Sequence, residues 1–97
     1  MTGFPLLAVD PEGIELELTR ERWSHIVSRH GELSNCVEEV LETVRSPEEV
    51  VAQSGRNDTF HYFREVSELE YNDYICVVVN VEKEFLVTAY PTSRKKV

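Results

Sequence analysis

The hydrophobic period of this chain changes at Pro47, and that change constrains the fold more than any other feature. Before it, Val37, Val40, Leu41 and Val44 recur at the spacing of one helix face. After it, β-branched and aromatic residues alternate between short turn signals, which is typical of strands. The change predicts an α+β fold, with helices in the first half and an antiparallel sheet in the second.

One strand and two helices are expected before the change. Residues 14–18 alternate apolar and acidic side chains, which is the period of a strand with one solvated face. The first helix is expected to follow the N-cap Thr19 and to stop at Gly31. Ser34 or Asn35 can cap the second helix, which ends at the change of period.

Four strands are expected in the second half of the chain. They are residues 50–53, 60–66, 74–81 and 85–90. Because most of the breaks between them are short, neighbouring strands should pair as an antiparallel meander. The prediction is therefore an N-terminal strand and two helices packed on a four-stranded antiparallel sheet.

Alternation separates this sheet into two unequal faces. One face should lie under the helices and carries an apolar set: Ile75, Val77, Val79, Val81, Phe85, Val87 and Ala89. The opposite parity carries Tyr62, Arg64, Thr88, Tyr90 and, beyond the strand end, Thr92. Guanidinium and hydroxyl groups can hold a phosphate, and tyrosine rings can stack on bases. The alternative for this second face is a solvated surface of good strand formers.

Length and composition favour a single domain. Ninety-seven residues suit one modest core, expected within residues 14–92, followed by a basic tail at 93–97 that contains Arg94-Lys95-Lys96. The first residues carry a short apolar run without a basic region before it, so neither a signal peptide nor a membrane span is expected. We expect a cytoplasmic protein that does not associate with a membrane.

The cysteines and the scattered glycines argue against a metal or a cofactor. Cys36 and Cys76 lack partners at the spacing of a zinc site, and no glycine-rich phosphate loop occurs. Two cysteines without an export signal are more often reduced thiols in or near the core. No metal and no cofactor are expected.

Two histidines of the first helix are candidates for proton transfer. His25 and His30 are five residues apart, which is a rotation of about 140° on a helix, so they cannot share one proton or ligand. His25 falls on the polar side and His30 continues the apolar stripe of Trp23, Ile26 and Val27. The alternatives are a solvated surface residue for His25 and a hydrogen-bonded core residue for His30.

Several short motifs together resemble a known superfamily of nucleases. They are residues 18–26 (LTRERWSHI), Arg29-His30, the helix at 37–44, Tyr62-Phe63-Arg64 and residues 86–92 (LVTAYPT). This combination, spread over residues 14–96, resembles the small phage and bacterial domains that group barnase, EndoU, colicin and RelE-type ribonucleases.

The resemblance implies a metal-independent ribonuclease on an α+β fold. Carried over residue by residue, it points to His25, His30, Arg64, Thr88 and Thr92, of which the first four are the expected catalytic residues. Thr92 is expected to contact RNA, together with Arg29 beside His30 and with Tyr62 and Tyr90, whose rings can stack on bases. The expected function is a small endoribonuclease that cleaves RNA through attack of the 2′-hydroxyl, and a toxin-like role is one form of this expectation.

Net charge favours a rival hypothesis. The chain carries a formal charge of -8, which suits a basic protein partner better than sequence-blind binding of nucleic acid. The alternative function is a non-catalytic acidic protein-binding module, antitoxin-like or inhibitor-like, on the same fold. If the protein is instead a toxin, the partner would be an antitoxin. A third alternative is a domain of this fold whose site has decayed.

Overall fold

A computed structural model describes residues 3–93 as one α+β fold with two α-helices and a six-stranded mixed sheet. The strands are β1 (Leu6–Val9), β2 (Glu15–Leu18), β3 (Glu49–Ala52), β4 (Thr59–Glu65), β5 (Tyr74–Asn80) and β6 (Phe85–Thr92). The helices are α1 (Arg20–Arg29) and α2 (Val37–Arg45), separated by a short 3₁₀ turn, Gly31–Leu33. The predicted α+β class is confirmed, whereas the sheet has six strands and one parallel pair instead of four antiparallel strands.

The strand order is β1-β2-β6-β5-β4-β3, so β1 and β2 are added beside β6 to the four strands that were predicted. Those four, β3 to β6, form the expected antiparallel meander. The N-terminal hairpin of β1 and β2 then joins β6 in parallel, through the pair Glu17 and Phe85. The prediction missed β1 because four residues are too few to show a period.

The helices begin and end close to where their capping signals predict. Thr19 Oγ1 accepts a hydrogen bond from the backbone N–H of Arg22 at 3.1 Å, as an N-cap residue does. The second helix begins after Cys36, which makes no side-chain cap, so the predicted caps at Ser34 or Asn35 are wrong. Its end at Ser46 is confirmed.

The core lies between the helices and one sheet face, which we call the inner face. From the sheet, Leu16, Leu18, Ile75, Val77 and Val79 are buried there against helical residues. A β-bulge changes the contribution of β6, because Val79 pairs with Leu86 whereas Val78 pairs with Thr88. Leu86 and Ala89 therefore enter the core, and the predicted core positions of Phe85 and Val87 are wrong.

Both thiols lie where a reduced cysteine is expected. Cys36 is buried in the inner core and Cys76 beneath the opposite sheet face, and both are free. No helix within residues 3–93 is long and apolar enough to cross a membrane. The predicted basic residues Arg94-Lys95-Lys96 lie outside the described range.

Candidate functional site

The sheet face opposite the helices, which we call the outer face, carries the candidate site. Residues that pair directly across strands share a face, so the register defines this one. Its rows run from β4 through β5 to β6: His61, Val78 and Thr88; then Phe63, Cys76 and Tyr90; then Glu65, Tyr74 and Thr92. Thr88, Tyr90 and Thr92 are therefore together on one face, as predicted.

Tyr62 and Arg64 lie on the inner face, so their predicted grouping with Thr88 is wrong. Tyr62 pairs with Val77 and is buried in the inner core. Arg64 pairs with Ile75, and its Nη1 donates to the carbonyl oxygen of Ser46 at 2.6 Å. The guanidinium therefore stabilises the carbonyl end of α2.

His30 reaches the outer face from the end of α1. Its ring centroid lies 6.1 Å from that of Tyr90, with the two planes inclined at 42°. Strand β2 pairs with β6 only at Phe85, the first residue of β6. The edge of β6 beyond Phe85 is therefore not paired with β2, and the side chain of His30 can reach Tyr90 there. Both α1 and the 3₁₀ turn contact β6. The imidazole therefore approaches Tyr90 past a strand edge that no neighbouring strand covers within the described residues.

The other predicted residues of α1 remain on its exposed surface. His25 is exposed and lines a shallow depression with Thr19, Glu21 and Arg22. Arg29 is exposed in the last turn, directly before His30. The structure thus brings His30 to the outer face and leaves His25 on another surface of the same helix.

A row of polar side chains lies next to Tyr90 on the outer face. Tyr90 pairs directly with the buried Cys76 across β5 and β6, and Cys76 Sγ lies 3.8 Å from His61 Nδ1. His61 Nε2 lies 2.9 Å from Gln53 Oε1. Because an amide oxygen can only accept, Nε2 carries the proton and Nδ1 accepts from the thiol. The polar row therefore runs from Cys76 to His61 to Gln53, and Tyr90 lies beside its Cys76 end.

The sequence does not predict this row of polar residues, because no local pattern assigns Cys76, His61 and Gln53 together to one face of the sheet. His61 and Cys76 occupy alternate positions to Tyr62 and Val77, so the correct register of β4 against β5 places them together. One signal in the sequence indicates the position of Cys76. It alternates with the apolar residues Ile75 and Val77 and therefore belongs to the face that carries Tyr90, with which it pairs directly.

Burial keeps the Cys76 thiol and the Tyr90 phenol uncharged. Desolvation raises the pKa of Cys76 to about 11, and the interaction with the nearby Tyr90 hydroxyl opposes that rise. Desolvation also raises the pKa of Tyr90 well above its ordinary value, with a further contribution from Cys76. At neutral pH the thiol and the phenol are therefore protonated, and neither serves as a nucleophile or a base.

The stability of the protein should depend on the protonation of His61. Burial lowers the pKa of His61 below its ordinary value of about 6.5. Because the unfolded chain then binds the proton more readily, the contribution of His61 to the free energy of unfolding is fully present above pH ~6.5. This contribution is lost as the pH falls towards the pKa of His61 in the folded state. The free energies of unfolding of wild type and His61→Gln are measured by urea denaturation from pH 8 to pH 5. We expect the difference between the two proteins to become smaller as the pH falls. Parallel profiles would contradict this assignment.

The outer face offers proton transfer, hydroxyl donors and an aromatic surface. His30 supplies an imidazole, Thr88 and Thr92 carry hydroxyl groups, and Tyr90 presents a ring beside them. Within residues 3–93, no group of three or more His, Cys, Asp or Glu is placed to hold a metal ion. Chemistry by these residues would be acid–base and electrostatic in kind.

Comparisons of the chain with protein-family models, with curated proteins and with solved structures found no match.

Proposed function

We propose that this protein is a small metal-independent endoribonuclease whose site is the β6 part of the outer face with His30. The observation that carries the proposal is the contact of the His30 ring with Tyr90, on the face that also holds Thr88 and Thr92. An imidazole can act as a general base, hydroxyl groups can donate to phosphate oxygens, and an aromatic ring can stack on an unpaired base.

In the proposed reaction the ribose 2′-hydroxyl attacks the neighbouring phosphorus. His30 takes the hydroxyl proton as the 2′-oxygen bonds to phosphorus. The bond from phosphorus to the 5′-oxygen breaks, and that oxygen takes a proton from water. The products are a 2′,3′-cyclic phosphate and a free 5′-hydroxyl. Their formation requires no metal ion and no water molecule as the nucleophile.

The surrounding residues would bind and orient the phosphate and a base. Thr88 and Thr92 would donate hydrogen bonds to phosphate oxygens, and Arg29, adjacent to His30, would supply positive charge. Tyr90, which pairs with Cys76 across the sheet, would stack on a base. Arg64 and Tyr62 have no part in this proposal because both lie on the inner face.

The first experiment is cleavage of single-stranded RNA by the purified protein in low salt with EDTA. Low salt strengthens local contacts of cationic side chains with phosphate but also leaves the repulsion from the net charge of -8 unscreened, so cleavage is also measured at ~0.15 M salt. We expect fragments that end in a 2′,3′-cyclic phosphate, and no cleavage of the same sequence made with 2′-O-methyl ribose. If the RNA stays intact under these conditions, the non-catalytic protein-binding alternative is favoured instead.

A further inference from the structure

A pocket of about 370 Å³ opens on the inner-face side of the sheet, away from the proposed RNA site. It lies between the turn that joins β1 to β2 and the ends of β3, β4 and β5. Aliphatic walls come from Ile14, Val50 and Val81, and Phe60 and Tyr62 add two aromatic side chains. The volume is that of a small-molecule site, and the lining is mostly apolar, as is usual for such sites.

The buried carboxylate of Asp10 lines this pocket. Asp10 is 5% exposed, and its Oδ1 accepts from the backbone N–H groups of Glu12 and Ile14 at 3.0 and 2.9 Å. Its Oδ2 accepts from the Tyr62 hydroxyl at 2.5 Å. All three donors are neutral, so hydrogen bonds orient the carboxylate without cancelling its charge.

No cation of the described residues compensates this charge. The ion pairs formed within residues 3–93 involve neither Asp10 nor Glu12, an exposed residue that also lines the pocket. Buried charges are ordinarily paired, because an unpaired one is costly in a medium of low dielectric. The pocket therefore holds negative potential inside apolar and aromatic walls.

We propose that this pocket binds an organic ammonium ion, an amine or quaternary ammonium cation with an apolar body. The carboxylates of Asp10 and Glu12 would attract the cationic head, and aromatic faces bind such cations through their negative π-surface. The apolar body would pack on Ile14, Val50 and Val81. An anionic ligand such as RNA is disfavoured here, so this site is independent of the proposed ribonuclease site.

A pair of probes of equal shape tests the role of charge. The probes are 2-phenylethylammonium and its neutral analogue 2-phenylethanol, titrated at pH 7 and followed by NMR of the methyl groups of Ile14, Val50 and Val81. We expect saturable shifts at these methyl groups, with the ammonium ion binding about tenfold more tightly than the alcohol. Equal affinity for both probes, shifts confined to other residues, or no saturable shift would overturn the proposal.

Variants that remove one carboxylate charge complete the test. Asp10→Asn and Glu12→Gln should each reduce the affinity for the ammonium ion severalfold and leave that for the alcohol unchanged. Glu12→Gln carries the test if Asp10→Asn fails to fold, since Glu12 is exposed. Glu32→Gln, an exposed change in the 3₁₀ turn, is the matched control and should bind as wild type does. An unchanged ammonium affinity in Glu12→Gln would contradict the proposal.

Discussion

Replacing His30 by glutamine is expected to lower the rate of RNA cleavage by about 100-fold to 10,000-fold, the range typical of losing a general base. Glutamine preserves a polar side chain of similar length beside Tyr90 but cannot accept and release the proton of the 2′-hydroxyl. Initial rates on a single-stranded RNA, compared at equal protein concentration, measure the effect. Circular dichroism of both proteins checks that the fold is retained.

His25→Gln is the matched control for this measurement. It removes the same chemical group from the same helix, but from an exposed position that does not face Tyr90. We expect its cleavage rate to equal that of wild type. The assignment of His30 fails if His30→Gln retains the full rate, or if His25→Gln is the variant that loses activity.

Phe63→Ala is expected to destabilise the folded protein by about 3–5 kcal/mol, the cost of truncating a fully buried phenylalanine. Phe63 is completely buried beneath the outer face, packed with Cys76 and Val78 and flanked by Tyr90. Its removal leaves a cavity that these neighbours cannot fill. Urea denaturation at pH 7 measures the difference in the free energy of unfolding.

Phe85→Ala provides the comparison for that prediction. It removes the same atoms from a half-buried position at the start of β6, so a smaller loss of about 1–2 kcal/mol is expected. If both variants cost the same, or if Phe63→Ala costs less than about 1 kcal/mol, the outer face has no packed layer of its own. The orientation of Tyr90 would then lack its support.

The helical half was the more predictable part of the fold. The apolar stripe of α2 and the proline after it predicted the helix and its end, and Thr19 predicted the start of α1. These signals are local, because capping and helical period act over a few residues. The start of α2 was less predictable, since Cys36 occupies the cap position without a side-chain bond.

The two faces of the sheet were only partly predictable. In β4, aromatic and polar residues occur at both parities, so Tyr62 and Phe63 give no alternation that separates inside from outside. In the inner core the Tyr62 hydroxyl donates a hydrogen bond to the carboxylate of Asp10. Asp10 is distant in sequence, so no pattern within β4 predicts this partner. The bulge at Val87 reversed the parity within β6, and a bulge leaves no signature in a run of apolar residues.

The position of His30 depended on contacts that no local pattern encodes. Its approach to Tyr90 requires β2 to pair with β6 near Phe85 and to leave the rest of that edge to α1 and the 3₁₀ turn. Parallel pairing joins segments far apart in the chain, so spacing between neighbours does not predict it. The sequence predicted which residues were candidates, and long-range pairing decided which of them meet.

The most direct test of the central claim is to map where RNA contacts the protein. A short 2′-O-methyl RNA, which lacks the attacking hydroxyl and cannot be cleaved, is titrated at low salt and followed by NMR. The outer-face site predicts the largest shifts at His30, Thr88, Tyr90 and Thr92, with little change at Arg64 on the inner face. Shifts centred on Arg64, or no shift at any of these residues, would contradict it.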